Sequence, residues 1–301
     1  ADGTMEYLAA GLSKYPMIPG HEWSGEVVAA GQRVRNFREG DRVAGECSIG
    51  CRQCSHCRKG WYHLCPERAE TGLFKQAGGF ADYIAYPWQF LHNCNGLSAE
   101  AAALVEPTAV AVNAVKRIAV TPNDCVAVFG PGPIGLFAVQ VAKAYGARKV
   151  ILVGIRDAPL AAGRELGADV TVNRTNEDLV RIVHAATGGA MVDAVIEAVG
   201  KKEVWPDIEA VVAPRSRVAV AGLFGGQRCE VNFDRLVVKE VSIHGCLGSP
   251  NCWEEAIGLH ERGAVRCEPI VTHRLPLSAF SSAIELSRKR VDGVIKVLLQ
   301  P

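Results

Sequence analysis

Four closely spaced cysteines offer the most specific chemistry in this sequence. Cys51, Cys54, Cys57 and Cys65 follow the pattern C-x2-C-x2-C-x7-C. A gap of two residues lets neighbouring thiolates converge on one ion, and four thiolates hold zinc in a closed, tetrahedral, structural site. An iron–sulfur cluster is the alternative, because bacterial ferredoxins use a similar spacing, but the x7 gap is longer than theirs. The pattern therefore favours structural zinc, held in a lobe of residues 47–66.

The remaining seven cysteines share no such spacing. We interpret them as core or surface thiols: Cys47, Cys94, Cys125, Cys229, Cys246, Cys252 and Cys267. The start of the sequence lacks a basic segment and an apolar core, so no export signal is recognised. We therefore expect reduced thiols in a cytoplasmic protein rather than disulfides in a secreted one.

A glycine-rich turn is the second chemical signal. The stretch from Gly130 to Gly135 reads G-P-G-P-I-G, which is the G-x-G-x-x-G pattern. An apolar strand candidate precedes it and an apolar helix candidate follows it, and this context is typical of dinucleotide binding. The glycines allow a tight turn and a close approach of the pyrophosphate to the helix N-terminus. The residues predicted to contact the cofactor are Gly130, Gly132, Pro133, Ile134 and Gly135.

The next strand candidate, K-V-I-L-V, bears on which dinucleotide binds. NAD sites usually carry an acidic residue at the end of this strand, to accept the ribose 2′-hydroxyl. Here Gly154, Ile155 and Arg156 follow. Glycine leaves room for a 2′-phosphate, and Arg156 can pair with it, so we predict NADP. NAD remains the alternative, because a small change of register would bring Asp157 to the ribose.

A third signal is the Gly20-His21-Glu22 segment in "GHEWSG". It is either half of a metal site or a turn with a salt bridge, and the segment alone favours the turn.

The bulk composition argues against nucleic-acid-binding and membrane proteins. With 33 Lys and Arg against 32 Asp and Glu, there is no electrostatic basis for binding nucleic acid or an anionic membrane. No apolar run approaches the roughly 20 residues of a spanning helix, so we expect no membrane partner.

The surrounding elements change character twice along the chain. Residues 1–108 predict irregular β structure, with strands at 25–31, 40–46 and 80–87. Apolar strands alternate with helices over 109–246, which predicts an α/β fold with a doubly wound parallel sheet. The regularity fades over 247–301, where a helix at 251–263 and a final strand at 293–299 are expected.

These features together resemble the zinc-containing medium-chain alcohol dehydrogenases. The resemblance covers almost the whole chain. Within the family, the sequence is most similar to the polyol branch, which includes sorbitol dehydrogenase, L-threonine 3-dehydrogenase and 2-deoxy-scyllo-inosamine dehydrogenase. It rests on the cysteine lobe and on "PGHEWSGEVVAAG", "VEPTAVAVNAV", "GPGPIG", "VIEAVG", "GLFGG" and "GVIKVLL". It implies a Rossmann domain (109–246) inserted in a GroES-like β catalytic domain (1–108 and 247–301).

The resemblance also implies a catalytic zinc site. His21, Glu22 and Glu106 correspond to its imidazole and carboxylate ligands, and simple alcohol dehydrogenases often have a cysteine in place of Glu106. Val199, in "VIEAVG", corresponds to a cofactor contact. Such a site keeps a position that the substrate can occupy.

One ligand of the family falls outside the printed sequence. It is the cysteine of a Cys-Gly-x-Asp motif, in which Asp2 would be the aspartate and Ala1 the variable residue. The cysteine is then expected immediately upstream, in a chain truncated at its N-terminus. The variable residue often passes a proton through its hydroxyl, which Ala1 lacks, so Thr4 or a water would replace it.

The implied activity is oxidation of a secondary alcohol to a ketone, with hydride transfer to NAD(P) and with zinc as Lewis acid. The expected substrate is a small polyol, cyclitol or sugar-like molecule, and the expected assembly is a homodimer or homotetramer. The alternatives are oxidation of an amino alcohol, as in L-threonine 3-dehydrogenase, a zinc-free medium-chain reductase, and a catalytically inactive NADP-binding homologue. The cysteine lobe, His21 and Glu106 speak against the zinc-free reductase.

Overall fold

The computed structural model describes residues 7–8, 10–291 and 293–301. The chain divides into two compact units. The sheet unit comprises Ala111–Leu247 and Glu268–Thr272, and the cysteine unit comprises the described part of Asp2–Val110 with Gly248–Cys267 and His273–Pro301. These divisions fall two and one residues after the expected boundaries at 108 and 246, and they add a short later segment to the sheet unit.

The cysteine unit contains short strands and helices. Its elements, up to the helix in which the chain enters the sheet unit, are β1 (Ser24–Glu26), β2 (Arg42–Gly45), β3 (Ser48–Ile49), α1 (Ser55–Arg58), β4 (Ala69–Thr71), β5 (Lys75–Gln76), β6 (Leu91–Asn93), α2 (Ala99–Ala103) and α3 (Val105–Arg117). Strands β1, β2 and β6 form an antiparallel sheet. Strands β3, β4 and β5 form a mixed sheet, in which β3 and β4 are antiparallel and β4 and β5 are parallel. Single 3₁₀ turns occupy Tyr62–Leu64 and Trp88–Phe90.

Two strands expected in this unit differ from the structure. Of the expected strand 25–31, only residues 25 and 26 belong to β1, and the backbone pairing ends at Val27, whose N–H donates to the Asp41 carbonyl at 2.9 Å. The segment 80–87 forms no strand among the described residues. The backbone of 80–87 is bound by loops and side chains instead. The Phe80 N–H donates to the Pro19 carbonyl at 3.1 Å, and the Ala85 carbonyl accepts from Gln76 Nε2 at 2.9 Å. These contacts take the place of a strand ladder in this segment.

The sheet unit confirms the predicted doubly wound sheet. Its elements are β7 (Cys125–Phe129), α4 (Pro133–Ala144), β8 (Lys149–Gly154), α5 (Asp157–Glu165), β9 (Val170–Asn173), α6 (Leu179–Thr187), β10 (Val192–Glu197), α7 (Trp205–Val211), β11 (Val212–Val220), α8 (Phe233–Val238) and β12 (Ser242–Gly245), with a 3₁₀ turn at Lys202–Val204. The strand order is β9-β8-β7-β10-β11-β12, and all neighbours are parallel. The order reverses between β7 and β10, which is where such sheets bind ligands.

The strands of this sheet are apolar because helices cover both faces. All five residues of β7 are buried, and so are the last five of β8. Helix α4 also buries eight residues, from Gly135 to Ala142. This continuous burial makes the strand ends, where the loops emerge, the polar and accessible part of the sheet.

The chain ends with four further elements: α9 (Trp253–Glu261), β13 (Val271–Pro276), α10 (Phe280–Lys289) and β14 (Lys296–Gln300), with a 3₁₀ turn at Leu277–Ala279. Strands β13 and β14 pair with each other. The expected helix at 251–263 and the expected final strand are both present. Within the part of the chain that the structure describes, every helix is too short or too polar to cross a bilayer.

Candidate functional site

The four cysteines of the lobe converge as their spacing predicts. Cys51 Sγ lies 4.0 Å from Cys57 Sγ, and Cys54 Sγ lies 3.7 Å from Cys65 Sγ. A zinc ion with Zn–S bonds of about 2.3 Å would separate its sulfurs by roughly 3.8 Å. A cluster of several iron and sulfide atoms would hold the four sulfurs farther apart. The geometry therefore fits a single tetrahedral metal ion.

The local fold already presents these sulfurs to a cation. Cys54 is the N-cap of α1, and its Sγ accepts from the Cys57 N–H at 3.5 Å. Hydrogen bonds from the backbone N–H groups of Gln53 and Cys54 lower the pKa of Cys51 to about 6. A thiol that ionises this readily is a ready metal ligand, because the thiolate is the form that binds.

A second group of donor atoms lies apart from the lobe. The donor atoms of His21, Cys47 and Glu106 lie within 4.8 Å of one another. His21 and Glu106 are two of the three residues that the resemblance implied as ligands. Cys47 is not, since the sequence interpretation treated it as an ordinary thiol, and no spacing rule distinguishes it from the other scattered cysteines.

Burial shapes the ionisation of this group. It lowers the pKa of His21, which favours the neutral imidazole that metals bind. It raises the pKa of Glu106 well above its ordinary value, and the nearby carboxylate of Glu22 adds to this effect. Burial also raises the pKa of Cys47 well above its ordinary value, and the negative charges of Glu70 and Glu106 raise it further. Three donors that resist carrying charge together call for a cation among them.

Glu22 has a different partner in the structure. Its Oε2 accepts a hydrogen bond from Nζ of Lys296 in β14, and it is not a member of the donor group. Burial alone would raise the pKa of Glu22, but Lys296 and His21 outweigh burial and hold it below its ordinary value. The turn-with-salt-bridge and metal-site interpretations of "GHEWSG" therefore each describe one residue: Glu22 forms the ion pair and His21 joins the donors. The assignment of Glu22 as a zinc ligand stays a prediction.

The predicted dinucleotide turn has the shape that a pyrophosphate needs. Gly130 has φ +101°, and a Cβ there would lie 2.8 Å from Val199 Cγ2. A Cβ on Gly135 would lie 1.8 Å from the Gly130 carbonyl oxygen, so only glycine allows this close approach. A Cβ on Gly132 would meet nothing within 4 Å. Packing therefore requires glycine at positions 130 and 135, whereas the space beside Gly132 is open.

Helix α4 starts directly at this turn, with Gly132 as N-cap and Pro133 and Ile134 in its first turn. No side chain caps it, so its N-terminal N–H groups are available to an anion. Val199 lies beside the turn, because β10 pairs with β7 and the Ala198 N–H donates to the Phe129 carbonyl.

Glu197, at the end of β10, holds the loop that contains Val199. No sequence motif identified its role in advance. Its Oε1 accepts from the N–H groups of Val199 and Gly200, at 2.7 and 2.8 Å. The side chain is fully buried, and burial raises its pKa despite these hydrogen bonds. Glu197 therefore fixes the backbone next to the glycine-rich turn.

The end of β8 adds detail to the cofactor question. A Cβ on Gly154 would lie 2.6 Å from Cγ of Pro131, so packing already excludes a carboxylate at this position. Arg156 is half-buried and directly precedes α5. The carboxylate of Asp157 accepts from Asn173 Nδ2 at 2.6 Å. The alternative ribose ligand is thus already hydrogen-bonded within the protein.

The predictions that concern Ala1, Asp2 and Thr4 lie outside the described residues. A donor group of imidazole, carboxylate and thiol fits a catalytic metal, since these are the ligands that zinc takes in enzymes. Together with the dinucleotide turn and the cysteine lobe, it defines a zinc-dependent dehydrogenase that uses a nicotinamide cofactor.

Comparison with known proteins gives the family. Residues 2–96 match the alcohol dehydrogenase GroES-like domain, and residues 133–262 match the zinc-binding dehydrogenase domain. The chain is 34% identical over 291 residues to a sorbitol dehydrogenase of Halalkalibacterium halodurans, which covers 95% of this chain and 84% of the relative. The chain belongs to the zinc-containing medium-chain alcohol dehydrogenase family, and it is an NAD(P)-dependent oxidoreductase.

Other relatives carry related names. An erythritol/L-threitol dehydrogenase of Mycolicibacterium smegmatis is 34% identical, over 95% of this chain and 80% of its own length. An L-threonine 3-dehydrogenase of Bacillus licheniformis is also 34% identical, over 96% of this chain and 83% of its own length. The relatives thus include both polyol and amino-alcohol dehydrogenases.

Solved structures share the fold and differ in cofactor. A zinc-binding dehydrogenase from Sinorhizobium meliloti 1021, bound to NADP, has a TM-score of 0.91 at 29% identity and covers all of this chain and 89% of its own. The alcohol dehydrogenase rspB from Escherichia coli CFT073, complexed with NADH, has a TM-score of 0.90 at 29% identity, with the same coverage. These similarities confirm the expected GroES-like and Rossmann combination.

Proposed function

We propose that this enzyme oxidises a secondary alcohol that carries further hydroxyl groups, such as a polyol, cyclitol or sugar-like molecule, to the ketone, with NADP⁺ as hydride acceptor. The observation that supports it best is the buried Glu106 carboxylate among the donor atoms of His21 and Cys47. Relatives named for sorbitol and erythritol point to the same substrate class.

The proposed roles follow from each residue's surroundings. His21, kept neutral by burial, would hold the metal through a ring nitrogen, and Glu106 would hold it through an oxygen. When bound, zinc would supply Lewis acidity that makes the substrate hydroxyl more acidic. Lys296 compensates the charge of Glu22 next to His21, so that His21 is not drawn toward protonation by an unpaired carboxylate. Glu22 remains proposed as a further ligand.

For the cofactor, Gly130, Gly132, Pro133, Ile134 and Gly135 are proposed to bind the pyrophosphate. Arg156 is proposed to pair with the 2′-phosphate of NADP, whereas Gly154 contributes only the absence of a carboxylate. Val199, held by Glu197, is proposed to contact the nicotinamide half. NAD is the alternative cofactor.

Cys51, Cys54, Cys57 and Cys65 are proposed to bind the structural zinc. All eleven cysteines are free in the structure, which suits a reducing, cytoplasmic environment. We also propose a homodimer or homotetramer, which light scattering on the purified protein would test. Oxidation of an amino alcohol is the second candidate function, favoured by the threonine dehydrogenase relative.

The deciding experiment compares kcat/KM for sorbitol, erythritol, L-threonine and propan-2-ol, each with NADP⁺ and NAD⁺. The expected order places the polyols at least about tenfold above propan-2-ol, which is about 1.4 kcal/mol in transition-state binding. Glu106→Gln replaces the proposed ligand carboxylate by an amide of the same shape, and it should lower kcat/KM for every substrate. A higher value for L-threonine would favour the amino-alcohol reaction, and a higher value for propan-2-ol would contradict the polyol proposal.

A further inference from the structure

We propose that Asn173 is a determinant of the cofactor preference, because it holds the carboxylate of Asp157 away from the ribose of the bound dinucleotide. This inference rests on the proposed function, since it concerns the cofactor of that reaction. In this role Asn173 does not touch the cofactor. It is a positioning residue that acts through Asp157, the alternative ribose ligand.

The parallel pairing of β8 with β9 places Asn173 next to the loop that follows β8. Asn173 is the last residue of β9 and lies opposite Gly154, the last residue of β8. The Arg174 N–H donates to the Gly154 carbonyl at 2.9 Å, which continues the pairing by one residue. Side chains in register on neighbouring strands share one face of a sheet. The Asn173 side chain therefore leaves the sheet on the face where a Cβ on Gly154 would meet Pro131 and Leu160.

The amide of Asn173 is held in one orientation. Its Oδ1 accepts from the backbone N–H and the hydroxyl of Thr175, at 3.2 and 2.7 Å. Because the oxygen is bound to these two donors, the amide nitrogen is the end that faces Asp157, and it donates to Asp157 Oδ1 at 2.6 Å. The backbone N–H of Asn173 also donates to Glu177 Oε2 at 2.6 Å. The residue is only 8% exposed, so it offers Asp157 a fixed partner.

Asp157 itself occupies a much more open position. It is exposed and is the first residue of α5, directly after the loop formed by Gly154, Ile155 and Arg156. An exposed aspartate can change its side-chain rotamer when its partner is removed. The hydrogen bond from Asn173 therefore decides whether the Asp157 carboxylate is directed at β9 or is able to turn toward the loop.

A released Asp157 carboxylate would favour NAD in two ways. It would accept a hydrogen bond from the ribose 2′-hydroxyl of NAD, as the acidic residue of NAD sites does. It would also repel the 2′-phosphate of NADP, because both groups are negatively charged. The contact with Asn173 suppresses both effects. Gly154 leaves the usual position without an acid, and Asn173 restrains the acid that follows three residues later.

Asn173→Ala tests this role in cofactor binding and in turnover. Fluorescence titrations give the Kd for NADPH and for NADH, and steady-state kinetics give kcat/KM with NADP⁺ and with NAD⁺. The ratio that expresses preference for the phosphorylated cofactor should fall by at least about fivefold, the scale of one net hydrogen bond to a charged group. Asn173→Val is a second variant that keeps a side chain suited to a strand, should the smaller residue disturb folding.

The same substitution in an Asp157→Ala background shows whether Asn173 acts through Asp157. In that background Asn173→Ala should change the ratio by less than about twofold, which is within the usual additivity of independent sites. Thr175→Val is the matched control. It removes the hydroxyl that donates to Asn173 Oδ1 but keeps the contact between Asn173 and Asp157, so the ratio should stay at its wild-type value.

The outcomes separate this inference from the function on which it rests. A wild type that prefers NADP, with a ratio that Asn173→Ala and Asn173→Val leave unchanged, would overturn the role of Asn173 and leave the proposed function standing. An equal change of both Kd values in these variants would show a purely structural role and would also overturn it. A wild type that does not oxidise polyols would overturn the proposed function, whereas the two Kd values would still report the effect of Asn173. A ratio that falls in Asn173→Ala but not in the Asp157→Ala background supports the inference.

Discussion

Nζ of Lys296 in β14 donates a hydrogen bond to Oε2 of Glu22, the residue next to the proposed ligand His21. The two side chains are only 17% and 26% exposed, so water screens this ion pair weakly. The contact joins residues 274 positions apart in sequence. It ties the last strand of the cysteine unit to the segment that carries the metal donor.

The first prediction concerns this pair. Lys296→Met keeps the length of the side chain and leaves the half-buried Glu22 carboxylate without its cation. The free energy of unfolding should fall by about 1–3 kcal/mol, the usual cost of an unsatisfied polar group. Lys289→Met is the matched control, because Lys289 forms an exposed ion pair with Glu285, whose loss should cost under about 1 kcal/mol. Urea unfolding measures both, and equal losses would show that the Glu22 pair contributes no more than a surface pair.

The second prediction concerns the cysteine lobe. Cys54→Ser removes a sulfur ligand while its hydroxyl can still accept the N-cap hydrogen bond of α1, so the loss of the metal should harm folding more than the chemical step. Each kcal/mol lost lowers Tm by roughly 2–4 °C in domains of about 150–250 residues, so the loss of several kcal/mol should be clearly resolved. Cys229→Ser, a half-buried thiol outside both donor groups, is the control. A Cys54→Ser protein with normal Tm and zinc content but lost turnover would contradict the structural role.

His92 leads to a pH prediction. Its Nε2 lies 3.0 Å from Glu46 Oε1, its Nδ1 lies 2.9 Å from Glu254 Oε1, and its ring stacks on Trp253. Burial alone would lower the pKa of His92, but the two carboxylates outweigh burial and raise it above the ordinary value. A raised histidine pKa adds stability that is complete below the unfolded pKa of about 6.5 and is lost as pH rises through the folded pKa.

Replacing His92 should therefore matter most at low pH. His92→Gln should lower the free energy of unfolding near pH 6, and the difference from wild type should shrink toward about pH 9. Denaturant unfolding over this range gives the difference curve. An NMR titration of the ring supplies the pKa itself, which Glu46→Gln should lower. A wild-type pKa at or below the ordinary histidine value would refute the proposed charge interaction.

The sequence predicted those parts of the molecule that depend on local pattern. The buried strands β7 and β8 are almost continuous apolar runs, because helices cover both faces of the sheet. The zinc lobe follows from the spacing of its cysteines, since a tight turn is enough to make them converge. Elements with mixed burial, such as β9 and the segment 80–87, were missed or wrongly assigned, because their polarity does not determine whether a partner strand is present.

The parts that sequence could not reveal depend on pairing between distant segments. Cys47 joins His21 only through the register of β1 with β2, and a shift of one residue would direct its side chain elsewhere. Lys296 reaches Glu22 from the far end of the chain. Nothing in the type or the spacing of either residue indicated its partner before the fold brought them together.

The cofactor prediction rests on the loop after β8. Packing against Pro131 excludes any side chain at Gly154, so no carboxylate can repel a 2′-phosphate there. Asp157, the alternative ribose ligand, already accepts a hydrogen bond from Asn173. Arg156 directly precedes α5, where its planar guanidinium matches the oxygens of a phosphate.

We therefore expect the enzyme to prefer NADP over NAD, and Arg156→Ala mainly to raise the KM for NADP. A charge-assisted hydrogen bond of this kind is worth about 1.5–3 kcal/mol, so the preference should be roughly ten- to a hundredfold and should weaken as salt is added. The measurement is kcat/KM for both cofactors in wild type and variant. Arg164→Ala, which removes an arginine from the same helix α5, should leave the preference unchanged. Equal or better use of NAD by the wild type would refute the assignment and point to Asp157 as the ribose ligand.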